Sequence, residues 1–138
     1  MDELADLFQA RSRLVERLAA EEDPLGRARE VLAALPEEEK VEALNHHPRI
    51  GERHLAGRSA AEQGDVAPED EAVLDELAHL NAAYEERFGF RFVVFVNRRP
   101  RAALLPVLRE RLERDRAEEL ETGCDELVAI ARDRWQNR

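Results

Sequence analysis

The sequence predicts an all-α, single-domain protein over residues 1–138, interrupted by one extended segment near 90–97. Three observations carry that expectation. Leu, Ala, Glu and Arg dominate the chain, and all four are strong helix formers. Apolar residues recur at helical spacing along most of its length. Aromatic residues make up only 5%, too few for an ordinary all-β core.

Taken in order, Leu4, Leu7, Phe8, Leu14 and Leu18 define a helix over 2–21, or two helices broken near Arg11-Ser12. Asp23-Pro24 reads as a cap followed by a first-turn proline and opens a helix through Ala34. Pro36 opens another, with Glu37, Glu38 and Glu39 on the positive end of its dipole, ending near Asn45. Residues 46–58 break the periodicity; Pro48, Gly51 and Gly57 mark a structured loop. Ser59 with Glu62 three positions on has the capping-box form, so a short helix is expected at 59–63. Pro68 opens a long helix through Phe88, with Val73, Leu74, Leu77, Leu80 and Tyr84 on one face, and Gly89 stops it.

Phe90 to Val96 has the composition of a strand. A lone strand makes no sheet, so it reads as a buried extended segment. Pro100 opens a helix through about 114, in which Pro106 should produce a kink. Asp115 caps the last helix, about 116–136.

The formal net charge is -10, without the basic footprint a nucleic-acid binder shows, so no nucleic-acid partner is expected. No apolar run approaches membrane-spanning length, so no membrane partner is expected either. The start of the chain lacks the basic region and apolar core of a signal peptide, and one cysteine, Cys124, cannot form an internal disulfide. A reducing, cytoplasmic location fits both facts.

Few residues carry obvious chemistry. His46 and His47 end a helix just before Pro48, which restrains the backbone of His47. Imidazole suits proton transfer near neutral pH, but a histidine there also serves the ordinary role of complementing the helix dipole. A metal site would have to use His46, His47, His54 and Glu62; with no helical ligand spacing such as HExxH, none is expected. Ser59, Glu62 and Gln63 could equally be plain capping residues, and no nucleophile elbow surrounds Ser59. Cys124 sits among Glu121, Asp125 and Glu126, which disfavour a thiolate. Arg132 and Arg134 stand two apart on the last helix and point in different directions.

Together these pieces resemble the OHCU decarboxylase family (2-oxo-4-hydroxy-4-carboxy-5-ureidoimidazoline decarboxylase) over about residues 8–136. His47-Pro48 with Ile50-Gly51 resembles the family's His-Pro loop, and Ser59-Ala60-Ala61-Glu62-Gln63 resembles its Ser-x-x-Glu-Gln element. Leu80-Asn81-Ala82-Ala83-Tyr84 through Arg87-Phe88-Gly89-Phe90-Arg91-Phe92 is similar to its central block. Arg111-Leu112, Glu119 and Ile130-Ala131-Arg132-Asp133-Arg134 are similar to its C-terminal helices.

The resemblance implies one decarboxylase-like domain of about seven or eight helices that uses no cofactor and no metal, releases carbon dioxide from a small ureidoimidazoline and yields (S)-allantoin in urate breakdown. It implies His47, Glu62 and Arg134 as catalytic residues. His47 would transfer the substrate hydroxyl proton, Glu62 would handle a proton or orient the ring, and Arg134 would bind the anion. Ser59, Gln63 and Pro48 would contact substrate, as would backbone groups around Phe92, Val94 and Val96. A homodimer is common in the family. Three departures stand out: Arg91 where many members carry Pro, a short loop between His47 and Glu62, and Asp133 where many are apolar. If Asp133 disturbs the alignment, Arg132 takes the place of Arg134. The same fold acting on another small anion, and a non-enzymatic acidic interaction module, are the competing expectations.

Overall fold

The structure is a computed structural model, and it describes residues 2–8, 12–50 and 71–137. Among these residues it holds seven helices: α1 (Asp2–Leu7), α2 (Arg13–Leu18), α3 (Pro24–Ala34), α4 (Glu37–Asn45), α5 (Glu71–Phe88), α6 (Arg101–Leu112) and α7 (Arg116–Gln136). The two-helix version of the N-terminal expectation holds: Ser12 accepts a hydrogen bond from the Val15 N–H and starts α2 afresh. Asp23 caps α3 through the Gly26 N–H, with Pro24 in its first turn. Pro106 lies exposed within α6, which continues to Leu112. The short helix expected at 59–63 lies outside the described residues.

The long C-terminal helix organises the bundle. α7 packs on α1, α3 and α4, while α5 and α6 pair with each other. Gly123 allows the close approach of α7 to α4, because a Cβ there would sit 3.2 Å from a methyl of Leu44. Leu14, Leu18, Leu32, Leu44, Leu77, Leu104, Leu108 and Leu127 lie in one apolar core. Cys124 is part of it, and burial pushes its thiol up to about 11, with Glu121 and Asp125 adding to that and Arg29 and Lys40 opposing it.

Gly89 ends α5 with φ +81°, which glycine adopts without strain. The chain then runs extended from Phe90 to Val96, as the sequence suggested, and sinks into the core: Phe90, Phe92, Val93, Val94 and Val96 are all buried. Each such side chain removed from water contributes roughly 1.5–3 kcal/mol. A buried strap with no sheet partner must have its main chain satisfied in other ways. Side chains serve it. Arg111 Nη1 donates to the Val93 carbonyl at 2.7 Å, Glu126 accepts from the Phe95 N–H at 3.3 Å, and Arg99 Nε donates to the Val96 carbonyl at 2.9 Å. The strap leaves through a tight turn in which Asn97 and Arg98 both have positive φ and the Arg99 N–H reaches the Val96 carbonyl.

Arg111 is itself held by a buried cluster. Glu119, fully buried on α7, accepts from Arg111 Nε at 2.7 Å, from the Tyr84 hydroxyl at 2.6 Å and from Arg114 Nη1 at 3.1 Å. The Arg111 guanidinium lies over the Phe92 ring, 4.5 Å from its centroid, where a cation–π contact adds to the ion pair. Tyr84, Arg111 and Glu119, three residues of the motifs read in the sequence, thus lock α5, α6, α7 and the strap together.

Candidate functional site

α4 ends at Asn45, and the two histidines that follow part company. His46 takes the C-cap position and is exposed. The His47 N–H donates to the Leu44 carbonyl at 3.1 Å, and the residue turns inward until only 8% of it is exposed. Pro48 has no N–H to continue the helix. The dipole-complementing role therefore suits His46, whereas His47 is neutral. Burial is the largest cause, followed by the positive charges of Arg134 and Arg91, and together they lower its pKa to about 3. Its Nδ1 has no hydrogen-bond partner among the described residues. The unprotonated nitrogen is open to a hydrogen bond from a ligand hydroxyl, and its basicity rises once an anion offsets the two guanidinium charges.

The loop carrying His47 is tied down on both sides. The Arg91 N–H donates to Asn45 Oδ1 at 2.9 Å, and Arg91 Nη1 donates to the His47 carbonyl at 3.0 Å. Arg49 forms a two-pronged ion pair with Glu85, at 2.7 and 2.9 Å. Asn81 Nδ2 donates to the Ile50 carbonyl at 3.1 Å, and Ile50 is buried. Asn81 is 2% exposed. Its place between Leu77 and Tyr84 on the inner face of α5 was the available sequence signal: a buried amide on an apolar stripe must have a partner. Asn45, Arg49 and Glu85 gave no comparable signal, because their partners are distant in sequence and charged residues are abundant.

Arg134 reaches the site from the far end of the chain. It is 2% exposed, donates to the Leu7 carbonyl at 2.8 Å, and its charge acts on His47. Arg132 points the other way, as expected two residues apart on a helix. It is exposed and donates through Nε and Nη2 to the Leu25 carbonyl at 3.2 and 3.0 Å. The structure thus brings His47 and Arg134 together and leaves Arg132 outside, bonded to a carbonyl in the first turn of α3. Pro48 is half-buried beside His47. Phe92, Val94 and Val96 bury their side chains in the core, so any contact they offer a ligand is through main-chain groups. Ser59, Glu62 and Gln63, and with them His54, lie outside the described residues.

Among the described residues, no three His, Cys, Asp or Glu side chains are grouped to hold a metal ion. A cleft of about 450 Å³ opens where α1 faces the α2–α3 connection, lined by Leu4, Leu7, Leu25 and Trp135 with Glu3, Glu22 and Asp23. Its lining includes neither His47 nor any basic group, so it does not suit an anionic ligand.

Comparison with known proteins identifies the family and the fold. The family model described as OHCU decarboxylase matches residues 1–136. The chain is 31% identical over 104 residues to a 2-oxo-4-hydroxy-4-carboxy-5-ureidoimidazoline decarboxylase of Haloferax volcanii, with 73% of this chain and 62% of that protein covered. It is 35% identical over 98 residues to the uric acid degradation bifunctional protein TTL of Arabidopsis thaliana, with 65% of this chain and 30% of that protein covered. The chain therefore spans less than two thirds of these relatives. A crystal structure of OHCU decarboxylase in the presence of (S)-allantoin shares the fold with TM-score 0.78 and 23% identity, over 96% of this chain and 94% of that one. The family model spans the His47 loop, the α5–strap block and α7 in one continuous match, and on that ground the chain belongs to the OHCU decarboxylase family.

Proposed function

We propose that this chain, as one decarboxylase-like domain over 1–138, converts 2-oxo-4-hydroxy-4-carboxy-5-ureidoimidazoline to (S)-allantoin without a cofactor. The observation that carries the reading is His47: a buried, neutral imidazole whose Nδ1 no described residue engages, acted on by two guanidinium charges, in a chain of this family. A family relative is named for uric acid degradation, and a structural neighbour was solved in the presence of (S)-allantoin. The bond between the ring carbon and the carboxylate breaks, carbon dioxide leaves, and the ring imine accepts the electron pair. The protein's tasks are to orient the carboxylate, take the hydroxyl proton and deliver a proton to one face.

In this scheme His47 takes the hydroxyl proton, Glu62 handles the second proton and Arg134 holds the carboxylate by charge-assisted hydrogen bonds. Ser59 and Gln63 bind the ureido and ring groups, Pro48 packs on the ring, and main-chain groups from Phe92 to Val96 meet its amides. The small-molecule substrate is the essential partner; a homodimer and a cytoplasmic location complete the reading. Size-exclusion chromatography with light scattering checks the dimer.

The test uses substrate generated in the cuvette immediately before addition of the purified protein, with circular dichroism following optically active allantoin. The expected result is a rise far faster than the spontaneous reaction, lost in His47→Ala and in Glu62→Ala at unchanged helical content. A rate equal to the uncatalysed one overturns the proposal.

A further inference from the structure

The residue that touches the His47 loop most intimately is one the scheme above does not use. Arg91 opens the buried strap and grips the loop at two points, donating its main-chain N–H to Asn45 Oδ1 and its guanidinium Nη1 to the His47 carbonyl. We propose that Arg91 is a positioning residue for His47, fixing the peptide that aims the imidazole and placing a second positive charge beside it. This inference rests on the reading of His47 as the proton acceptor.

The geometry supports a role beyond holding the fold together. The strap is already anchored in the core by Phe90, Phe92, Val93 and Val94, and by the Arg111 bond to Val93. The loop beyond His47 is held independently by the Arg49–Glu85 pair and by Asn81 on Ile50. Among the described residues outside α4 itself, Arg91 is the one that hydrogen-bonds the stretch from Asn45 to His47, between those two anchorages. With its carbonyl held and its N–H bonded to Leu44, the backbone of His47 is defined on both sides, which sets the direction of its Cβ. Among the described residues, the charges that act on the imidazole are Arg134 on α7 and Arg91 on the strap; both disfavour the imidazolium and keep the nitrogen unprotonated.

The test compares Arg91→Gln and Arg91→Lys with the parent protein. Both keep the main-chain bond to Asn45; only Lys keeps the charge and a donor of similar reach. One measurement is deuterium uptake of a peptide spanning 44–50 in the ligand-free protein. The other is steady-state decarboxylation of freshly made substrate. Arg91→Gln is expected to raise uptake at 44–50 while leaving α7 protected. It should lower kcat by roughly tenfold or more with little change in KM, because a displaced proton acceptor harms the reaction more than binding. Arg91→Lys should recover part of both losses. Unchanged uptake at 44–50 in Arg91→Gln overturns the clamp. Unchanged kcat, or a loss confined to KM, overturns the positioning role. If the parent protein fails to decarboxylate, the functional reading falls, and the uptake comparison still decides whether Arg91 holds the loop.

Discussion

Replacing His47 with Asn should flatten the acid dependence of stability. The folded imidazole resists protonation down to about 3, whereas in the unfolded chain it titrates near 6.5. Between those values the unfolded state binds the extra proton, so the stability tied to His47 is complete above about 6.5 and drains as pH falls towards 3. Each pH unit inside that window is worth about 1.4 kcal/mol, so going from pH 7 to pH 5 costs about 2 kcal/mol through this one group. For a chain of 138 residues that corresponds to a fall of about 6 °C in Tm. Surface carboxylates contribute alike to both proteins and cancel in the difference. The assay is thermal unfolding at pH 7 and pH 5, parent against His47→Asn, read as a difference of differences. The parent should lose about 2 kcal/mol more than the variant. Equal losses in the two would mean that His47 titrates as an exposed histidine does, and the case for a neutral imidazole would fail.

Three further outcomes follow from the packing. Glu119→Ala leaves the Arg111 guanidinium buried without its carboxylate and the Tyr84 hydroxyl without its acceptor; denaturant titration should show a loss of about 3–5 kcal/mol. Gly89→Ala meets no neighbour within 4 Å but must hold φ +81°, so the same titration should show a loss of about 1 kcal/mol from backbone strain alone. Arg134→Ala should lower kcat/KM by roughly ten- to a hundredfold through loss of a charge-assisted contact to the substrate anion, while the exposed Arg132→Ala leaves it nearly unchanged. A larger kinetic effect at Arg132 would reverse that assignment.

The helices were legible because local signals coincide. Asp23-Pro24, Pro36 with three glutamates, and Gly89 each mark a boundary, and each boundary falls where the structure has it. The strap was legible as extended and buried for a subtler reason: six of its seven residues are apolar, and the sequence offers no second run of that kind to pair with it. The means of holding it were not legible. Arg111 and Glu119 stand eight apart and could be any surface ion pair; that Glu119 is fully buried and joins Tyr84 to Arg111 appears only once three helices are packed. The same holds for Arg91, noticed in the sequence only as a departure from the family pattern, whose partners Asn45 and His47 lie more than forty positions away. Ser59, Glu62 and Gln63 lie outside the described residues, and their place in the site rests on the family resemblance.

A chain of net charge -10 is an unpromising receptor for an anion until distance and burial are considered. The acidic excess is spread over wet helix faces, where Glu16, Glu30, Glu118 and Glu121 are engaged with arginines, and salt screens such charges within about 10 Å. Inside, the balance reverses. Arg134 is sunk beneath the surface with its charge close to His47, and Arg91 stands on the other element that packs there. Among the described residues, the charges acting on the imidazole are these two cations, and both act to keep it unprotonated. An anion arriving at His47 would thus meet a locally positive site in an acidic protein. In the proposed reaction, a carboxylate drawn to that positive site would offset the charges that hold the imidazole's pKa down, so anion binding and base strength would be coupled through one arrangement.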